Sequence, residues 1–279
     1  MLSFPNASSL CFALALTSGL AAVPAFAQSG PAGPAGFPAD SFEAHAAVAQ
    51  WMAAYDRAAW KSTDAVRALP DSQRTGLGAE WFCYQAAGRW HGVYGRYDST
   101  SDRYNAVVHL VEGDSGYQRV SEAVDTVLAA PFGRALHRAR AGLPASVRAR
   151  VTMNQFVRRL DGGQVEVWLF PGWQSAGYML HGLEWRYTFD RDGRALIDSV
   201  QSGRTFDVLR PDTTAARVLD DEAFQAPRVA SLFLLVAYGH WFRHLYVETQ
   251  RFRSTLYRGP GQQAWIHVVR QSAQPPGPP

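Results

Sequence analysis

Cysteine and lysine are almost missing from this 279-residue chain. The two cysteines are Cys11 and Cys83. Cys11 falls in an N-terminal apolar run, which leaves Cys83 alone in the remainder, so an internal disulfide framework is excluded and stability has to come from a core. Cys83 stands among aromatics in Trp81-Phe82-Cys83-Tyr84, the setting of a buried, inert thiol. Lys61 is the only lysine among 27 basic residues. With many alanines and glycines, this reads as a coding bias toward arginine rather than as ligand design. The motifs that would name a reaction are also missing. There is no GxSxG elbow, no GxGxxG, no GxxxxGK[ST] and no HExxH, so an α/β-hydrolase, a nucleotide cofactor and a zinc protease each lack an anchor.

Long apolar runs are scarce as well. Leu10 to Val23 carries no charge and ends in Pro24-Ala25-Phe26-Ala27. Its small-residue Ala-x-Ala spacing predicts an export signal cleaved between Ala27 and Gln28. Met1 to Ser9 contains no Lys or Arg, so the amino terminus alone supplies the positive charge. An uncleaved membrane anchor is the competing reading, and a run shorter than the ~20 residues of a span argues against it. Cys11 lacks the small preceding residue of a lipid-attachment site. Val229 to Gly239 is the next most apolar stretch, too short to span and followed by His240, Arg243 and His244. The expectation is an exported protein, periplasmic or secreted, with no stable membrane span after cleavage.

What is present suits a globular domain. The hydrophobic fraction is 47% and the aromatic fraction 13%, enough to fill a core. The formal charge is +3, concentrated toward the C-terminus, where Arg228, Arg243, Arg251, Arg253, Arg258 and Arg270 oppose Glu248. No nucleic-acid module accompanies that asymmetry, so no nucleic-acid partner is expected. Residues 28–40 are Gly/Pro-rich and predict a flexible leader. Residues 271–279 end in PPGPP and predict a disordered tail.

The region from 41 to 270 reads as one α+β domain. Asp40-Ser41 starts a helix with Phe42, Ala46, Ala49 and Met52 at helical spacing, and Pro70 ends the region. Trp81–Gln85, Trp90–Tyr97 and Tyr104–Val111 read as an antiparallel meander. A helical insertion follows from Val120 to about Ala141, with Pro131 expected to kink or split it. Thr152–Leu160 and Gln164–Phe170 flank Asp161-Gly162-Gly163 as a hairpin. Residues 179–189 alternate as one strand, followed by strands over 194–201 and 204–209. Ser231–Val236 suits a strand or a helix, with strand favoured by its neighbours, and 247–257 and 265–269 close the domain as strands. The fold expected is a large antiparallel sheet, curved or even barrel-like, with an N-terminal helical segment and a helical insertion packed on it.

The sharpest site candidate comes from register. If the second hairpin turns over Asp98–Asp102, His91 stands directly opposite His109, and two imidazoles on one face can share a proton or a metal. A third ligand would have to come from His181 or Glu112. A register slip of one residue would separate the rings. His240 and His244, four apart, would share a helix face but lack the glutamate of a zinc protease. No complete metal set and no cofactor motif is present. Trp173, Tyr178 and Trp185 lie near the loop signal Pro171-Gly172 and could stack on a sugar or an apolar ligand, the competing reading being core packing. Two functions follow. The first is a non-catalytic protein binding a small molecule or a cell-envelope component. The second is an exported hydrolase or metal-dependent enzyme using His91 and His109.

Overall fold

The computed structural model describes residues 34–121, 124–203, 205–260 and 262–270. The predicted export signal, residues 28–33 of the Gly/Pro-rich leader and the C-terminal tail lie outside the described residues; in the remainder of the leader Phe37 packs against Phe42 and Phe252, and Ala39 begins α1. Within them the fold is α+β, rich in antiparallel sheet.

Helix α1 (Ala39–Arg67) is 29 residues long, about 44 Å at the usual rise per residue. It contains neither glycine nor proline, and alanine dominates its buried face. Small side chains there let other elements approach closely. The short α2 (Asp71–Arg74) follows Pro70. The first sheet is the meander β1 (Phe82–Ala86), β2 (Arg89–Asp98), β3 (Arg103–Gly113) and β4 (Gly116–Arg119), in that order. The C-terminal half of α1 crosses one face, where a Cβ on Gly92 would stand 2.8 Å from the Ser62 side chain. Tyr94 Oη makes hydrogen bonds with Ser62 Oγ and Thr63 Oγ1 at 2.7 and 2.9 Å.

Helix α3 (Thr126–Gly142) covers the opposite face, capped by the Asp125 carboxylate, which accepts from Val127 N. Pro131 does not split it. The carbonyl that a proline at that position leaves without its helical donor is that of Val127, and Arg159 Nη2 donates to it at 3.0 Å. After α4 (Ala145–Arg150) comes β5 (Met153–Arg159), which forms the expected Asp-Gly-Gly hairpin with β6 (Val165–Pro171). Gly163 in that turn has φ +81°.

Residues 179–189 are not one strand. β7 (Trp173–Gln174) and β8 (Tyr178–His181) belong to a small third sheet, while β9 (Glu184–Phe189) joins β6 and β10 (Leu196–Ser202) in the second. The break falls at Gly182, with φ +122°, a conformation other residues rarely adopt. Period-two alternation runs straight through a break of this kind, so the pattern alone hides it. β11 (Asp207–Leu209) completes the third sheet, in the order β11-β8-β7.

β12 (Asp212–Asp220) pairs in parallel with β13 (Phe242–Glu248), and helix α5 (Val229–Tyr238) makes the crossover. This corrects the strand reading of Ser231–Val236. An apolar segment buried on nearly all sides has no periodicity to separate helix from strand, and a parallel pair requires a crossover. The expected strand over 247–257 is also divided: β13 ends at Glu248, and β14 (Phe252–Gly259) then pairs with β15 (Gln262–Val269).

The largest core lies where α1, α5 and the second and fourth sheets meet, around Met52, Phe156, Phe170, Phe233 and Val247. Another packs α3 between the first and second sheets, around Phe82, Phe132, Leu136 and Leu169. Cys83 is wholly buried beneath α1, and burial pushes its thiol up to about 12. Thiol reagents should therefore leave Cys83 unmodified in the native protein and alkylate it in urea, as peptide mass mapping would read out.

Candidate functional site

His91 and His109 meet, by a register different from the simplest one. The hairpin closes at Asp98↔Arg103, one residue away from the expected pairing. A bulge between Tyr94 and Gly95 leaves Val107 as the extra residue on β3 and moves the register by one more. Only glycine fits at position 95, because a Cβ there would lie 2.2 Å from the Asn105 carbonyl oxygen. Each shift alone would put the two imidazoles on opposite faces. Together they amount to two residues, so the rings return to one face as diagonal neighbours, with Val93↔His109 and His91↔Val111 as the direct pairs.

The contact is a hydrogen bond. His91 Nδ1 and His109 Nε2 lie 3.0 Å apart, so one ring donates and the other accepts. The rings are near parallel, with centroids 5.2 Å apart. Tyr84, the cross-strand partner of His91 on β1, stacks on it at 4.6 Å and extends the row to three rings. Burial, and then the Asp125 carboxylate, raise the Tyr84 hydroxyl above its ordinary pKa, so Tyr84 stays a neutral donor.

A groove of about 440 Å³ opens beside the pair, between β3 and residues 119–121 and 124. Ala106, Val107, His109, Arg119, Ser121 and Val124 line it. Arg119 is held across its mouth by Gln73 Oε1 at 2.6 Å and by the Val107 carbonyl at 3.4 Å. None of the described lining residues is acidic. An imidazole, a guanidinium, a hydroxyl and four apolar side chains, Val120 among them, suit a small ligand carrying a negative group and an apolar body.

The aromatic candidates are not gathered. Trp185 is 4% exposed and packs in the α3 core. Trp173 stacks edge-on against Trp241 at 5.0 Å and packs against the α1 core. Tyr178 lies under the Arg210 guanidinium at 5.2 Å. His181 and Glu112 do not join the histidine pair as further ligands: His181 belongs to a separate cluster, and Glu112 lies on β3 opposite Tyr117. No cluster of three or more metal-binding side chains occurs among the described residues. His240 lies in a 3₁₀ turn and His244 in β13, so the helical spacing considered for them is not realised.

One cluster was not legible in the sequence. His181, Arg228, Ser231, Asp221 and Glu184 converge below the third sheet, with Asp207 at its edge. The Arg228 guanidinium pairs with Asp221 at 2.6 Å, and both are buried. Glu184 accepts from Ala230 N at 3.0 Å, and burial raises its carboxyl above the ordinary value. Fifty residues separate Ser231 from His181, and no spacing rule connects them. The buried ionisable residues themselves were the available signal. No family model, no curated protein and no solved structure matches this chain.

Proposed function

We propose that this protein binds a small organic anion, a carboxylate or a phosphate with an apolar body, in the groove beside His109. The observation that carries the reading is a 440 Å³ groove lined by His109, Arg119 and Ser121. The binding is read as non-catalytic, in an exported protein whose ligand comes from the periplasm or the cell envelope. Residues 1–27 support export by their signal-like pattern.

A panel of small carboxylates and phosphates in a thermal-shift assay tests it. A binder present at ~100 times its Kd should stabilise the fold by about 2.7 kcal/mol, raising Tm by roughly 5–10 °C for a domain of this size. His109→Ala and Arg119→Ala should each lose most of that gain. If no anion raises Tm, or if both variants respond as the wild type does, the reading is wrong.

The 3.0 Å contact between His91 and His109 favours a second reading. In it the pair is an acid and base that pass a proton to and from the bound molecule, as in a hydrolase. That reading requires His91→Ala to abolish turnover of a bound ester or phosphoester while leaving its binding intact.

A further inference from the structure

The buried cluster below the third sheet contains a hydroxyl, an imidazole and a carboxylate in sequence. Ser231 is the third residue of α5 and is 0% exposed. Its Oγ lies 2.8 Å from His181 Nε2. Arg228 Nη2 is 3.5 Å from the same nitrogen. A guanidinium only donates, so the tautomer assigned from this contact has the lone pair on Nε2 and the ring proton on Nδ1. Nδ1 is buried and has no hydrogen-bond partner among the described residues. The nearest carboxylate facing it is Asp207 Oδ2, at 4.0 Å. The serine can therefore hand its proton to Nε2, and the imidazolium that forms has a carboxylate ahead of it on the Nδ1 side. Asp221 Oδ1 lies 4.0 Å behind it, and Glu184 and Arg228 complete the charged groups facing the ring.

We propose that Ser231 is an activated nucleophile, its hydroxyl relayed through His181 and positioned by Asp207, acting on small apolar acyl or phosphonyl electrophiles. The Ser231 oxygen bonds to the carbonyl carbon or phosphorus while its proton passes to His181 Nε2. The bond to the leaving group then breaks, and that group departs with the electron pair and takes up the proton. Water reverses the sequence for an acyl adduct, whereas a phosphonyl adduct persists. The cavity against His181, about 10 Å³, is no larger than a water, so an electrophile reaches Ser231 only when this wall opens, and the apolar side chains of Phe170, Leu180, Leu183, Ala230 and Leu234 around it favour a small apolar one. Access requires the third sheet to lift. Its strands have two, four and three residues, but Met179 and Leu209 anchor it in the largest core, so opening is a rare local event.

The test is labelling of the full chain with an alkyl fluorophosphonate, followed by peptide mass mapping. A single adduct at Ser231 is expected. His181→Gln should slow labelling by about 100-fold or more. Asp207→Asn should slow it about tenfold and shift the pH profile of the labelling rate, which a merely structural role would not do. Near-UV circular dichroism identifies any variant that fails to fold, and the wild-type adduct decides without the variants. No adduct at Ser231, or equal rates in wild type and folded His181→Gln, would overturn the proposal.

Discussion

Replacing Arg228 by methionine should destabilise the protein by about 3–5 kcal/mol, because it strands a buried carboxylate. Asp221 has no side-chain exposure, and Arg228 is nearly as buried. Arg228 Nε donates to Asp221 Oδ1 at 2.6 Å, and the Arg228 backbone N–H donates to Oδ2 at 2.7 Å. The same guanidinium donates to the Gly182 carbonyl at 2.6 Å and to the Asp220 carbonyl at 3.3 Å. It thus ties the end of β12, the Gly182 break and the start of α5 into one node. Removing it leaves the buried Asp221 charge without its counter-ion, held only by the backbone N–H of residue 228, and takes one donor from each of two carbonyls. Asp221→Asn together with Arg228→Met should cost less than the sum of the two single changes, since no lone charge remains. Urea unfolding at constant m-value is the measurement. The exposed pair Arg186–Asp198, at 2.9 Å, is the control: Asp198→Ala should change stability by less than ~1 kcal/mol. Equal effects at the two pairs would mean that the node is not buried as described.

The second large effect concerns Asp56, in the middle of α1. Its carboxylate accepts from Tyr238 Oη at 2.6 Å, across the contact with α5. Burial raises its pKa from 3.8 to about 6, against the opposing hydrogen bond from Tyr238. The folded state therefore holds a proton at pH values where the unfolded chain has lost it. Stability from this group is fully present below pH ~4 and is lost as pH rises through about 6. Two pKa units correspond to about 3 kcal/mol. Asp56→Asn keeps an oxygen for Tyr238 and removes the charge, so it should stabilise the protein by roughly 2–3 kcal/mol at pH 7.5, with little change at pH 4. His267 acts in the opposite direction. Burial against Phe37 and Phe42 lowers it from 6.5 to about 4, so its contribution is present above pH 6.5 and is lost as pH falls toward 4. The wild-type profile combines opposing slopes. Asp56→Asn should leave the histidine slope exposed, with stability falling on acidification between pH 6.5 and 4. A variant whose profile parallels that of the wild type would contradict the assignment.

The helical and strand zones were legible because their patterns follow local chemistry. The alanine-rich face of α1, the Asp-Gly-Gly turn between β5 and β6, and the three strands of the first meander each carry their signal within a few residues. What was missed depends on distant partners. Pro131 stays inside α3 because Arg159, on β5, serves the carbonyl the proline leaves open. α5 is a helix because β12 and β13 run parallel, a fact about two strands and not about its own residues. The histidine pair shows the limit most clearly. The shared face of His91 and His109 was inferred from a direct pairing, whereas it arises from a hairpin offset plus the bulge at Gly95, two displacements that cancel in their effect on the face. Trp185, read together with Trp173 and Tyr178 as a ligand platform, sits in a different core from Trp173, because the break at Gly182 sends β8 and β9 to different sheets.

The most direct test of the central claim is ligand mapping by nuclear magnetic resonance on isotopically labelled protein, with a panel of small carboxylates and phosphates. At least one anion should give saturable shifts confined to residues 106–109 and 119–121 and to the His91 and His109 rings, and His109→Ala should abolish them. Saturable shifts centred elsewhere, for example on Trp173 and Tyr178, or none at millimolar anion, would contradict the assignment of this groove as the binding site.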